Sequence, residues 1–106
     1  MRKTKVTFNH ERLQLSSEIL RALAHPLRLK ILEFIDKHES VHVQKIYNTL
    51  GLEQSITSQH LRVFLLSIIV HTKRNGKLIH YTIDYPTVER AEKAIDNFIE
   101  SENESE

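Results

Sequence analysis

The feature that most narrows the possible folds is a single Asn75-Gly76 step, set between the β-rich runs Ile68-Ile69-Val70-His71-Thr72 and Leu78-Ile79-His80-Tyr81-Thr82-Ile83. Asn-Gly between two such runs is the strongest short-range hairpin signal, because both residues tolerate the positive φ of a tight turn. The segment Lys73-Arg74-Asn75-Gly76-Lys77 therefore predicts a β-hairpin with a basic tip. With only two glycines and two prolines in 106 residues, few other sharp reversals are available, and most of the chain reads with helical period.

Leu15, Ile19, Leu20 and Leu23 recur at helical spacing and predict a first helix over about residues 11–24. His25-Pro26 must interrupt it, since a residue before proline is pushed out of the α region, while proline suits the first position of a new helix. The second helix, from Pro26 to about Lys37–Glu39, carries its apolar face on Leu27, Ile31, Leu32 and Ile35, with Phe34 adjacent. Val41-His42-Val43 suits a brief strand, Gln44–Leu50 a short helix, and Gly51 a turn. In the next helix, Gln54 to about Leu66, Thr57, Leu61 and Phe64 fall at i, i+4 and i+7, which turns Gln54, Ser55, Ser58, Gln59 and Arg62 outward. After Asp84-Tyr85-Pro86, Val88, Ala91, Ile95 and Phe98 trace an apolar stripe on a last helix. The expected fold class is mainly α with a small β-hairpin. One domain over 11–100 is expected, between a flexible N-terminal arm at 1–10 and an acidic disordered tail at 101–106.

Fifteen Lys and Arg against fourteen Asp and Glu give a formal charge of only +1, so any nucleic-acid argument rests on where the charges sit. The absence of cysteine excludes disulfides, thiolate metal sites and a thiol nucleophile. No stretch approaches the roughly 18 apolar residues of a membrane span, so a cytoplasmic protein with no membrane partner is expected. Nothing in the chain offers a nucleophile-base pair at interpretable spacing, a phosphate-binding glycine loop or a carboxylate cluster. An enzyme is not expected, nor a cofactor.

The segment from Val43 to Val70 has helix-turn-helix proportions, and the amides and hydroxyls of Gln54, Ser55, Ser58 and Gln59 are groups that read base edges in the major groove. The hairpin directly behind it places Lys73, Arg74 and Lys77 where they can meet phosphates. In so small a domain the apolar stripes of the first and last helices exceed what the remaining core can cover, so pairing across a two-fold axis is expected. Leu15, Ile19, Val88, Ala91, Ile95 and Phe98 would form that homodimer interface.

Three blocks, Ala22 to Leu32, Leu52 to Val63, and Asn75-Gly76-Lys77-Leu78-Ile79-His80-Tyr81, together resemble the signatures of ArsR/SmtB-type winged helix-turn-helix repressors. The resemblance covers about residues 12–100. It implies a homodimer joined by the first and last helices, with two recognition helices in successive major grooves of a pseudo-palindromic operator in double-stranded DNA. Gln54, Ser55, Ser58 and Gln59 stand at its base-reading positions, and Lys73, Arg74 and Lys77 in its wing. Repression by occlusion of the operator follows from the same resemblance.

The chain departs from the family pattern at several places. His42-Val43-Gln44 replaces Cys-Val-Cys, removing the soft thiolates, and Tyr85, Thr87, Phe98 and Ser101 replace the ligands of the helix 5 zinc site. Of the seven histidines, no pair lies at i, i+4 on one helix, so structural roles are expected, with His71 and His80 as cross-strand neighbours and no metal site. Glu53 occupies the place of a serine N-cap, Ile56 sits on the DNA side, and Ile68 takes the place of a glycine that would reach positive φ cheaply. Two alternatives stand beside DNA binding: a protein-interaction module using Ile56, Leu65 and Leu66, and a metal sensor with a non-standard histidine site.

Overall fold

The structure is a computed structural model and describes residues 9–104, excepting the side chains of 12, 13 and 98–104. Its elements run α1 (His10–Leu23), α2 (Pro26–His38), β1 (Val41–His42), α3 (Val43–Leu50), α4 (Gln54–Leu66), β2 (Val70–Asn75), β3 (Leu78–Ile83) and α5 (Tyr85–Glu104). This is the winged helix-turn-helix order read from the sequence, with five helices and one three-stranded antiparallel sheet, ordered β1-β3-β2, among the described residues. Among the described residues no helix is long and apolar enough to cross a membrane.

The proline break behaves as its chemistry dictates. His25 is extended at φ −146°, ψ 118°, and Pro26 opens α2, where its missing N–H costs no hydrogen bond. α2 then buries Ile31, Leu32, Phe34 and Ile35 against Ile46 of α3, Leu61 and Phe64 of α4, and Val41 and Val70 of the sheet. α1 contributes Ala22 to this core, with Ile19 and Leu23 at its edge. α3 ends on Gly51, whose φ of 66° closes the turn without the steric cost a Cβ would bring. The sheet closes the core on its far side, with Val41 opposite Tyr81 and Val70 opposite Ile83.

The wing begins later than the sequence suggests. Ile68 and Ile69 lie outside β2: Ile68 adopts φ 59°, and Ile69 is fully buried with its N–H donated to the Phe64 carbonyl. The strand starts at Val70 and continues through Lys73 and Arg74 to Asn75, so the hairpin loop is only Gly76-Lys77. Gly76 alone has positive φ, at 64°, the pattern of a type II′ turn rather than one centred on Asn75-Gly76.

The register also separates the two histidines expected to be cross-strand neighbours. His71 faces Thr82, and His80 faces Lys73 on one side and His42 on the other. Of the expected arm, residues 1–8 lie outside the described residues, and His10 already opens α1. α5 runs on to Glu104, past the expected boundary at 100, while 105 and 106 are outside the described residues.

Candidate nucleic-acid interface

The orientation of α4 is set from beneath. Thr57, Leu61 and Phe64 are each no more than 1% exposed, and Thr57 Oγ1 donates to the Glu53 carbonyl at 3.0 Å, so its hydroxyl is buried with a partner. With that row locked into the core, Gln54, Ser55, Ser58, Gln59 and Arg62 are all exposed. Five donor-bearing side chains thus share one protruding face with no acid among them. Ile56, 39% exposed, adds one apolar group beside them. Glu53 is extended at the N-cap and makes no side-chain cap bond, as its length predicts.

The middle of α4 is steadied by a second contact that sequence reading did not find. Arg28 Nε donates to His60 Nδ1 at 3.1 Å, and the His25 ring lies 5.0 Å from the His60 ring. Burial, then Arg28, then His25 hold the His60 imidazole below its ordinary pKa. A neutral ring is what the geometry requires, because Nδ1 must accept the guanidinium hydrogen.

Lys73 and Arg74 are exposed neighbours on β2, so they point to opposite faces of the ribbon, and Lys77 sits in the loop itself. Positive charge therefore surrounds the wing tip. At the wing's base His71 Nε2 lies 2.6 Å from Asp84 Oδ2, while Asp84 Oδ1 accepts the Thr87 N–H at 3.1 Å. One carboxylate thus caps α5 and holds the wing strand. The hydrogen bond with His71 foremost, then those from Thr87, keep the Asp84 carboxyl below its usual range. Asp84 three residues before Thr87, just ahead of Pro86, was a readable N-cap signal; its link to His71 was not.

The residues expected at a dimer interface separate into groups. Leu15 is 49% and Ile95 41% exposed on α1 and α5, which pack against each other. Ile19 and Val88 are half-buried against the chain's own core, Ala91 is buried within the chain, and the Phe98 side chain lies outside the described residues. At the two family metal positions, His42 precedes α3 and stacks edgewise on His80, Tyr85 donates to Asp36 at 2.5 Å, and Thr87 is buried. The Phe98 and Ser101 side chains are outside the described set. Among the described residues no three His, Asp or Glu side chains gather as a metal would require.

No family model matches the chain. It is 40% identical over 73 residues to the transcriptional repressor PagR of Bacillus anthracis, covering 69% of this chain and 73% of that protein. The nodulation protein NolR of Rhizobium meliloti is 36% identical over 73 residues, and here the chain spans 59% of the relative's length. Among solved structures, PagR superposes with a TM-score of 0.68 at 36% identity, covering 82% of this chain and 99% of PagR. NolR from Sinorhizobium fredii superposes with 0.73 at 30% identity, covering 92% and 96%.

Proposed function

Because this chain belongs to the ArsR/SmtB family of winged-helix transcription regulators, we propose that it represses transcription by binding double-stranded DNA as a homodimer and occluding a pseudo-palindromic operator. The observation that carries this reading is the α4 face: a fully buried Thr57-Leu61-Phe64 row beneath, and Gln54, Ser55, Ser58 and Gln59 exposed above. Those four side chains read base edges, whereas Arg62, Lys73, Arg74 and Lys77 anchor on phosphates. Leu15 of α1 and Ile95 of α5, both apolar and exposed, lead the pairing surface, with Ile19, Val88 and Ala91 beside them; Phe98 joins this set from its place in the sequence stripe alone. The protein acts in the cytoplasm and without a resident metal.

Titration against the chain's own upstream DNA and an unrelated duplex, at two salt concentrations and with chelator, tests the proposal. Tight, salt-sensitive preference for the upstream fragment supports a metal-independent repressor. A second reading, a protein-interaction module, draws on Leu66, which is 73% exposed at the end of α4. Failure to bind either duplex, with or without zinc, would favour that module. Binding that appears or disappears only with zinc would point to a histidine metal site.

A further inference from the structure

Ile56, in the first turn of α4, is an apolar side chain that the fold does not use. It is 39% exposed, and it belongs neither to the buried core nor to the partly buried apolar residues packed against that core, which α4 supplies through Leu61, Phe64 and Val63. Nor is it part of the α1 and α5 surface proposed for pairing. It does not favour the helix either, because a β-branched residue loses rotamer freedom there that alanine does not have to lose. Its surroundings are polar: Ser55 and Ser58 are exposed beside it, and Gln59, three positions on, is its neighbour on the helix surface.

The first turns of a recognition helix are the part that reaches base edges in the major groove. Hydroxyls and amides placed there read donors and acceptors, but they gain nothing from the one apolar group on that edge, the C5 methyl of thymine. An isoleucine does the reverse. We propose that Ile56 is a specificity-determining residue that packs on a thymine C5 methyl in each half of the operator, while Gln59 reads the adenine of the same or the adjoining base pair through its N6 and N7. The operator then carries an A·T pair, with thymine on a fixed strand, where the start of α4 enters the groove. This inference rests on the DNA-binding reading and names a base which that reading leaves open. Burial of one methyl against isoleucine corresponds to roughly fourfold in affinity, and the two half-sites bound by one dimer compound this to about fifteenfold.

The chain's own upstream DNA, prepared once with thymine and once with deoxyuridine throughout, keeps every base pair and differs only in the C5 methyls. In an anisotropy titration the full chain is expected to bind the uracil form about fifteenfold more weakly. Ile56→Ala is expected to bind the thymine form about as wild type binds the uracil form, and to distinguish the two forms by less than about threefold. Its salt slope is expected to stay at the wild-type value, since no phosphate contact is lost. Alanine is the better helix former, so such a loss does not come from melting of α4. Ile56→Val keeps a branched apolar surface and is expected to retain most of the preference. Wild-type affinity indifferent to uracil, or an Ile56→Ala variant that keeps the wild-type preference for thymine, would overturn the proposal and assign any methyl effect to another side chain or to DNA shape. Wild type that binds both upstream forms no better than an unrelated duplex would overturn the DNA-binding reading itself, and leave Ile56 to a protein partner.

Discussion

Arg28 donates its Nε hydrogen to His60 Nδ1 at 3.1 Å, tying the start of α2 to the middle of the helix that carries the base-reading face. That bond exists only while His60 is neutral, and burial, Arg28 and His25 all lower its pKa from the ordinary 6.5. The unfolded chain then binds the proton more readily than the folded one, so stability from this group is complete above about pH 6.5 and falls as the pH drops through the lowered folded value. Wild type is expected to lose more thermal stability between pH 7.5 and 5.5 than His60→Gln at the same protein concentration. Parallel melting curves for the two proteins over that interval would refute the coupling.

Ile68 occupies the left-handed region at φ 59°, where a β-branched side chain is strained by roughly 1–2 kcal/mol. It is 51% exposed, so the side chain recovers little through burial. Glycine removes the strain but gives the unfolded chain more entropy, an offset of about 0.5–1 kcal/mol. Ile68→Gly is therefore expected to stabilise the fold by about 0.5–1 kcal/mol in urea unfolding. A loss of stability would mean that Ile68 makes apolar contacts in the assembled protein.

The same residue explains where sequence reading of the fold stopped. Thr57, Leu61 and Phe64 were legible because a helix repeats every 3.6 residues and all three are deeply buried. The β-rich string from Ile68 to Thr72 carries no mark of where pairing begins, since an isoleucine at positive φ looks like any strand isoleucine. Its local backbone takes Ile68 and Ile69 out of the strand, and the loop moves from the expected Lys73–Lys77 to Gly76-Lys77. At the candidate site the exposed face of α4 follows from periodicity alone. Arg28 with His60, 32 residues apart, and Tyr85 with Asp36, 49 apart, depend on how helices dock, which no local pattern encodes. Ala22 does not figure in the apolar stripe read for α1, because alanine contributes little to such a pattern, yet it is 1% exposed within the core.

Glu53 precedes α4 without bonding any of its free N–H groups. Serine is short enough to accept from the N2 or N3 amide, and Glu53→Ser is expected to raise stability by about 0.5–1 kcal/mol. The gain belongs to the helix terminus and is read as a higher urea midpoint with an unchanged slope. An unchanged midpoint would show that the glutamate charge at the helix N-terminus already compensates.

Asp84 serves α5 and the wing at once, so its loss should be felt in both. Its carboxyl is held below 3.8, chiefly by the His71 hydrogen bond and then by Thr87, which makes its stabilisation complete above that value and lost as the pH falls through the lower folded pKa. Asp84→Ala is expected to melt at lower temperature than wild type at pH 7, with the difference narrowing below pH 4. A difference that persists undiminished at pH 3 would assign the loss to packing instead.

Gln59 and Lys73 divide the proposed interface by mechanism, one on the exposed face of α4 and the other on the wing strand. A side chain that hydrogen-bonds a base edge discriminates among base pairs, typically by about 1–3 kcal/mol, and does so with little dependence on salt. A lysine on a phosphate releases a counterion and carries no sequence information. Gln59→Ala is therefore expected to weaken binding to the upstream operator much more than to an unrelated duplex, leaving the salt slope unchanged. Lys73→Ala is expected to weaken both duplexes alike and to reduce the slope of log K against log salt by about 1. Fluorescence anisotropy at four salt concentrations distinguishes the two patterns. If Gln59→Ala weakened both duplexes equally, α4 would be gripping backbone, and the base-reading role would pass to other side chains or to the shape of the DNA.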